Sequence, residues 1–314
     1  MTQRIVVGAN AHAELAAALL AARPGLEIRG ARYTDISEAD LEWGQCYIGF
    51  KRPPLPSMGN IAWVHCTGAG VDSWLDGATP HGALPSNILL TRTSESFGPR
   101  IAEWTISRAL AFTQGIIPLY EAQRGRAWSP REPVLLSGSR VLIVGTGDIG
   151  THAARLFKAF GCRVTGVSRT GGGDDAVFAR CATVADLPGL VGDADWIVLA
   201  VPLTEATRGL FNRALLSRCA GATLINVGRG GVVEEAALPD ALASGWLRGA
   251  ALDVFETEPL PADSPLWSNE RVIVSPHVSG LTTSEGVVRG FLECLDARSR
   301  GEMPAWTVNR EIGY

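Results

Sequence analysis

The chain has no excess of positive charge, no closely spaced cysteine pair and no apolar run of membrane-spanning length, and each absence removes a class of function. A net charge of -4 and a pI near 5.8 leave no broad cationic surface for nucleic acid or anionic lipid, so any anion must be held locally. That points to a small-molecule ligand. "MTQRIVVGAN" runs straight into a strand pattern without the apolar core of a signal peptide, and no stretch is long enough to cross a bilayer. A cytoplasmic protein without membrane contact is expected. The six cysteines, Cys46, Cys66, Cys162, Cys181, Cys219 and Cys294, form no C-x-x-C pair and fall mostly in apolar stretches, so they read as buried free thiols. The five histidines have no ligand spacing to one another or to cysteine, and no metal is expected. Tandem repeats and low-complexity segments are absent as well, and "GGGDD" (171–175) reads only as a flexible surface loop.

What is present suits two domains: 314 residues exceed one ordinary core, and 46% of them are hydrophobic. From residue 140 onward the β-branched runs "RVLIV", "RVTGV", "DWIVLAV", "ATLINV", "GAALDV" and "RVIVS" alternate with helical segments, which predicts a doubly wound parallel sheet. The first part repeats the theme with "RIVVG", "CYIGF", "IAWVHC" and "ILLTRT" as strands and "AHAELAAALLAA" as a helix, giving a flavodoxin-like lobe. Between them "GPRIAEWTISRALAFTQGIIPLYEAQRG" has helical periodicity, and Pro118 is expected to kink or end that helix, which bridges the domains. The last helix starts at "TTSE", where Thr282 and Glu285 have capping-box spacing, and is expected to pack back on the first lobe. The expected architecture is α/β, two Rossmann-like or flavodoxin-like lobes with a cleft between them. Residues 1–93 and 281–314 form the substrate-binding lobe, and residues 94–280 form the dinucleotide-binding lobe. The chain then crosses twice, near Ser94 and near Gly280, which makes a hinge.

"VLIVGTGDIG" places Gly145, Gly147 and Gly150, with Asp148 and Ile149 between them, directly after a strand and before the helical "THAARLFKAF". In that context G-x-G-x-x-G marks a dinucleotide turn, with glycines admitting pyrophosphate to backbone N–H groups at a helix N-terminus. An NAD site normally has a carboxylate about 20 residues further on, to hold the ribose 2′-hydroxyl. Here that acid is missing. "VSRTGG" offers instead Ser168, Arg169 and Thr170, two hydroxyls and a guanidinium of the kind a 2′-phosphate needs, so NADP(H) is preferred and NAD(H) stays open through Asp174 or Asp175.

Ligands of open α/β sheets sit beyond the carboxyl ends of the strands. "INVGRG" puts Arg229 after the fourth strand of the series, "LDVFETEP" puts Glu258 after the fifth, and "IVSPHVSG" puts His277 after the sixth. Each alone has a bland reading as surface cation, capping acid or turn residue; together beside a nucleotide site they suit hydride transfer to a 2-oxo acid. Arg229 would fork onto the substrate carboxylate, His277 would protonate the carbonyl oxygen, and Glu258 would favour the protonated ring. In the other lobe the turn "HCTGAGVD" offers the Ala69 and Gly70 amides to the same carboxylate, with a plain structural turn as the alternative.

"TGAGVD", "GTGDIG", "VPLTEATRGLFN", "INVGRGGVV", "ALDVFETEPLP" and "SPHVSG" resemble the D-isomer-specific 2-hydroxyacid dehydrogenases in order and spacing over essentially the whole chain. That resemblance implies Arg229, Glu258 and His277 as the catalytic set and Ala69 and Gly70 as the carboxylate loop. It further implies that Pro202 and Thr207 line the cofactor ribose and that Asp253 and the Val227 backbone lie around the nicotinamide; a strand-end acid with a backbone partner is the alternative for Asp253. Within the family "TGAGVDSWL", "SRT", "PLPADSPLW" and "NREIGY" look most like the NADPH-dependent glyoxylate/hydroxypyruvate reductases, implying a short polar 2-oxo acid. The family also implies a homodimer through the nucleotide domains, with the segment around Trp128 as an arm. Pro239 departs from the family by interrupting a helix, and "FKRPP" matches no assigned pattern. A bulkier 2-oxo acid with NAD(H), and a nucleotide sensor without turnover, are the rival readings.

Overall fold

The computed structural model describes residues 3–75, 77, 82–93 and 97–313. The chain divides into two units, Met1–Glu95 with Thr282–Tyr314, and Ser96–Leu281. The sequence set these limits at 93/94 and 280/281, and the expected first crossing, near Ser94, lies outside the described residues.

The first unit is built on a five-stranded parallel sheet of order β2-β1-β3-β4-β5. Its strands are β1 (Arg4–Gly8), β2 (Glu27–Ala31), β3 (Cys46–Ile48), β4 (Trp63–Cys66) and β5 (Leu89–Arg92), with helices α1 (His12–Ala22), α2 (Glu38–Trp43) and α3 (Asp72–Leu75). The sheet is covered on both faces. Ile5, Val7, Ile48 and Trp63 pack on one side with Leu15 and Leu19 of α1, and Val6, Tyr47, Val64 and Leu90 pack on the other with Met58 and Trp74. That two-sided burial is why β1 and β4 read as continuous apolar runs rather than alternating ones. β2 escaped sequence reading because it is largely exposed, so "EIRGA" lacks the apolar signal.

The second unit carries a seven-stranded parallel sheet of order β12-β11-β10-β9-β6-β7-β8. Its strands are β6 (Arg140–Val144), β7 (Arg163–Ser168), β8 (Arg180–Thr183), β9 (Trp196–Leu199), β10 (Ala222–Asn226), β11 (Leu247–Leu252) and β12 (Val272–Val274). The helices are α4 (Gly98–Thr113), α5 (Ile116–Arg124), α6 (Asp148–Ala159), α7 (Leu187–Leu190), α8 (Arg213–Leu216) and α9 (Leu238–Ala243). Order reverses between β6 and β9, the switch point at which such sheets bind dinucleotides. The six sequence-predicted strands are joined by β8, another edge strand hidden in the polar stretch "RCAT". The chain then returns to the first unit as α10 (Ser284–Ser299), which packs against α1 through Val287, Phe291 and Leu295 as expected.

Four local readings are corrected. The long helix breaks at Gly115, whose positive φ of 60° caps α5, rather than at Pro118, which sits in the first turn of α5 where no helical N–H is needed. Pro239 likewise stands in the first turn of α9 and opens that helix instead of interrupting it. The cap of α10 is Thr283, accepting the Gly286 N–H at 3.0 Å, so the box expected from Thr282 and Glu285 does not form. The "GGGDD" loop is a hydrogen-bonded turn: the Gly172 carbonyl accepts from Thr146 and Ser168, and Asp174 accepts from the Ala176 N–H and pairs with Arg155.

Candidate active site

The turn between β6 and α6 is as tight as its glycines imply. Gly145 has a φ of 108°, and a Cβ on it would stand 2.3 Å from the Ala200 carbonyl oxygen. A Cβ on Gly150 would stand 1.7 Å from the Gly145 oxygen, so the helix can start this close to the strand only without a side chain there. At Gly147, the N-cap of the 12-residue α6, a Cβ would meet nothing within 4 Å. Backbone is thus open at a positive helix end, which is the cradle a dinucleotide pyrophosphate requires. Asp148, the first residue of α6, turns its carboxylate away to the Gly98 N–H at 2.9 Å and to His152 at 3.2 Å. Ile149 follows it, half-buried.

At the end of β7 the tight turn Ser168–Gly171, closed at Gly171 with φ of 73°, leaves Arg169 and Thr170 exposed. The Ser168 hydroxyl is already committed, donating to the Gly172 carbonyl at 2.9 Å, and Thr146 donates to the same oxygen at 2.7 Å. Ser168 therefore shapes the turn, and of the three predicted phosphate ligands Arg169 and Thr170 remain outward. Thr146 was missed; nothing in "GTG" marks it, because its partner lies 26 residues away.

The strand ends after β10, β11 and β12 are tied to one another. Asn226, closing β10, accepts the Gly228 N–H and donates to the Arg229 carbonyl, both at 3.1 Å, which fixes the turn bearing Arg229. Val227 is buried, its N–H bonded to Leu199 of β9. After β11, Glu258 folds back so that Oε1 accepts the Phe255 N–H at 3.1 Å while Oε2 meets His277 Nδ1 at 2.9 Å. Burial would raise the Glu258 pKa, but the hydrogen bond and charge of His277, the Phe255 N–H and the charge of Arg229 outweigh it and hold the carboxyl below its ordinary 4.5. Arginine, carboxylate and imidazole, expected from sequence to share one rim, are linked there by direct contact and by charge.

His277 occupies the left-handed region with φ of 53°, a conformation histidine tolerates better than most residues. It is held there by Asp253. That carboxylate, wholly buried at the end of β11, accepts the Val278 N–H at 3.0 Å, the Ser279 N–H at 2.9 Å and the Ser275 hydroxyl, while the Asp253 carbonyl accepts the His277 N–H at 2.8 Å. Of the two sequence readings of Asp253, the structure displays the strand-end acid with backbone partners. Thr207, expected at a ribose, closes its own turn, donating to the Pro202 carbonyl at 2.7 Å and accepting the Thr204 N–H at 2.8 Å. In the first unit Ala69 and Gly70 lie in the turn after β4, where the Cys66 thiol reaches the Gly70 carbonyl at 3.5 Å and a Cβ on Gly68 would press on Phe50 at 2.6 Å. Among the described residues no cluster of metal-binding side chains occurs and no helix is long and apolar enough to cross a membrane. Five cysteines are buried and Cys181 is half-buried, and no disulfide joins any of them.

A Rossmann-ordered sheet, an open glycine turn at its switch point and a charged rim on the same strand ends define a nucleotide-dependent oxidoreductase. Residues 106–279 match the family model described as "D-isomer specific 2-hydroxyacid dehydrogenase, NAD binding domain", and the chain belongs to that family of NAD(P)-dependent enzymes. It is 30% identical to glyoxylate/hydroxypyruvate reductase A of Enterobacter sp. (strain 638) over 95% of both chains. It is also similar to a D-isomer specific 2-hydroxyacid dehydrogenase of Xanthobacter autotrophicus Py2 solved with NADPH and MES (33% identity, TM-score 0.87, 100% of both chains). An NADPH-dependent glyoxylate/hydroxypyruvate reductase of Sinorhizobium meliloti, solved with NADP and sulfate, matches at 28% identity and a TM-score of 0.86, again over 100% of both chains.

Proposed function

We propose that this dehydrogenase reduces a short, polar 2-oxo acid of the glyoxylate or hydroxypyruvate type to the D-2-hydroxy acid with NADPH. The observation that carries the reading is the His277–Glu258 contact at 2.9 Å on the rim that also bears Arg229. With Nδ1 engaged by the carboxylate, His277 offers Nε2 to the substrate and gives its proton to the carbonyl oxygen. Glu258, kept ionised, stabilises the charged imidazole before that transfer. Arg229 grips the substrate carboxylate in a two-pronged hydrogen bond and sets the face of the carbonyl carbon, and the Ala69 and Gly70 amides are proposed as further carboxylate ligands. The nicotinamide, when bound, supplies the hydride. Pro202 and Thr207 are proposed to line the cofactor ribose, and Asp253 and the Val227 backbone to border the nicotinamide, with Asp253 also fixing the His277 loop.

NADP(H) over NAD(H) is supported by the end of β7. No carboxylate closes that strand, Arg169 stands exposed at the turn, and Asp174 is paired with Arg155 at 3.2 Å instead of reaching back. A relative solved with NADPH and another named as an NADPH-dependent glyoxylate/hydroxypyruvate reductase support the same reading. Apolar side chains left exposed in α5 and beyond it, among them Ile116, Tyr120, Leu135 and the 95% exposed Trp128, support a homodimer. The test is loss of NADPH absorbance on addition of glyoxylate, hydroxypyruvate and a panel of bulkier 2-oxo acids, repeated with NADH. Turnover of the short acids with NADPH is expected. NADPH binding without turnover of any acid would turn the reading into a sensor, and preference for a bulky acid with NADH would replace the substrate and cofactor together.

A further inference from the structure

Two carboxylates that no step above uses face each other beside the catalytic rim. The Glu235 side chain accepts the Glu256 N–H at 3.0 Å, and the Glu256 side chain accepts the Glu235 N–H at 3.0 Å. Glu235 opens a short 3-10 turn (Glu235–Ala237) on the loop that follows Arg229, and Glu256 stands two residues before Glu258. The same loops meet through backbone. A Cβ on Gly230 would lie 1.8 Å from the Phe255 carbonyl carbon and 2.3 Å from the Glu256 nitrogen, so the residue after Arg229 rests against Phe255, whose own N–H Glu258 accepts. Like charges oppose this arrangement. Burial pushes the Glu235 carboxyl up, its hydrogen bond from Glu256 pulls it down, and the Glu256 charge adds to the rise that results. Two charge-assisted hydrogen bonds to N–H groups that would otherwise lose their partners offset that repulsion.

We infer that Glu235 and Glu256 form a reciprocal clasp that sets the spacing between the Arg229 loop and the Glu258 loop, acting as positioning residues for the reaction. The inference rests on the reading of Arg229, Glu258 and His277 given above. It assigns the pair no contact with substrate. What the clasp needs is an acceptor oxygen at each position and not a charge, because an amide oxygen can receive the same N–H.

The test compares Glu256→Ala, Glu235→Ala, Glu256→Gln and Glu235→Gln in the full chain. The measurements are kcat, KM, NADPH affinity by fluorescence, and the isotope effect with NADPH deuterated at the transferred position. The alanine variants are expected to lose about tenfold in kcat, with a larger isotope effect and unchanged NADPH affinity, as misplacement of reacting groups slows the chemical step. The glutamine variants are expected to regain most of that loss. Glu235 is partly buried and its alanine variant can unfold; Glu256 is exposed, and its variant decides the matter alone. A folded Glu256→Ala protein with native kcat and isotope effect overturns the clasp, and so does a Glu256→Gln protein as slow as Glu256→Ala. Should the wild-type chain reduce no 2-oxo acid, the functional reading falls and amide exchange judges the clasp separately. Exchange at the Glu235 N–H that is at least about tenfold faster in Glu256→Ala supports it, and equal rates overturn it.

Discussion

The glycine turn after β6 and the charged rim after β10, β11 and β12 belong to one sheet but are specified in different ways. In the turn, the residues that constrain each other are five apart: a Cβ on Gly150 would strike the Gly145 oxygen at 1.7 Å. On the rim the contacts span 19 residues from Glu258 to His277 and 26 from Asp253 to Ser279. Backbone sterics over a short segment leave a motif, whereas a web of hydrogen bonds between strand ends leaves only scattered polar residues. The difference teaches that the first region can be damaged by adding one carbon and the second by removing one acceptor.

The two regions separate most sharply at His277, which touches the rim alone. His277→Ala is expected to lower kcat by about a thousandfold while NADPH affinity stays native, the cost of a positioned general acid. Steady-state kinetics with parallel fluorescence titration of NADPH measures both. An enzyme that kept most of its activity would move the proton donor elsewhere, and one that also lost NADPH binding would show that turn and rim are not independent.

Asp253 tests whether the rim is held by acceptors. In Asp253→Asn one oxygen becomes an NH2 that cannot receive the Val278 or Ser279 N–H, leaving a buried donor unpaired at a cost of about 1–3 kcal/mol. We expect a Tm lower by several degrees and a kcat down by about tenfold to a hundredfold, because the His277 loop relaxes from its left-handed conformation. Differential scanning calorimetry and single-turnover rates distinguish this from an Asp253 that only borders the nicotinamide, whose loss raises the KM for NADPH and leaves Tm unchanged.

How much of this was readable from residues alone follows the same division. The glycines at 145, 147 and 150 and the charged strand ends at 229, 258 and 277 were legible because each sits at a fixed offset from an apolar run. The apolar strands were legible for the same reason, and β2 and β8 were not, since the exposed "EIRGA" and the polar "RCAT" carry no apolar run to declare them. The Thr146 hydroxyl on the Gly172 carbonyl and the Glu235–Glu256 exchange were invisible, whereas a backbone partner for Asp253 was one of its two readings. Each of the two invisible contacts pairs a residue with a backbone atom brought near only by the fold. Pro118 and Pro239 misled because a proline breaks a helix interior but suits its first turn, and sequence periodicity does not locate that turn to within one residue.

At the cofactor end the comparison sharpens through Arg169. Arg169→Asp removes the exposed guanidinium of the β7 turn and supplies the carboxylate a ribose hydroxyl needs. The KM for NADPH is expected to rise about tenfold or more and the KM for NADH to fall, with kcat on the preferred cofactor changing far less. Equal use of both cofactors before and after the substitution would return the turn to a surface role.

The smallest effect compares two carboxylates of the rim whose pKa values move in opposite directions. Glu258 is held below its ordinary 4.5, so its stabilisation is present above that pH and is lost only as pH falls through the lower folded value. Glu235 is raised above 4.5 by burial, against its hydrogen bond from Glu256 and with that residue's charge adding to the rise. Its stabilisation is therefore complete below 4.5 and lost as pH rises through the folded value. Thermal melts of Glu258→Gln and Glu235→Gln against the wild type, from pH 7 to pH 4, read the contrast. At pH 7 the first variant is expected to melt about 2 °C or more below the wild type and the second at or slightly above it. On acidification the Glu258→Gln deficit persists to below pH 4.5, while any advantage of Glu235→Gln disappears as the wild-type carboxyl takes up its proton. Two variants with the same pH trend would mean that these neighbouring loops share one electrostatic environment and are not the oppositely tuned pair that the hydrogen bonds describe.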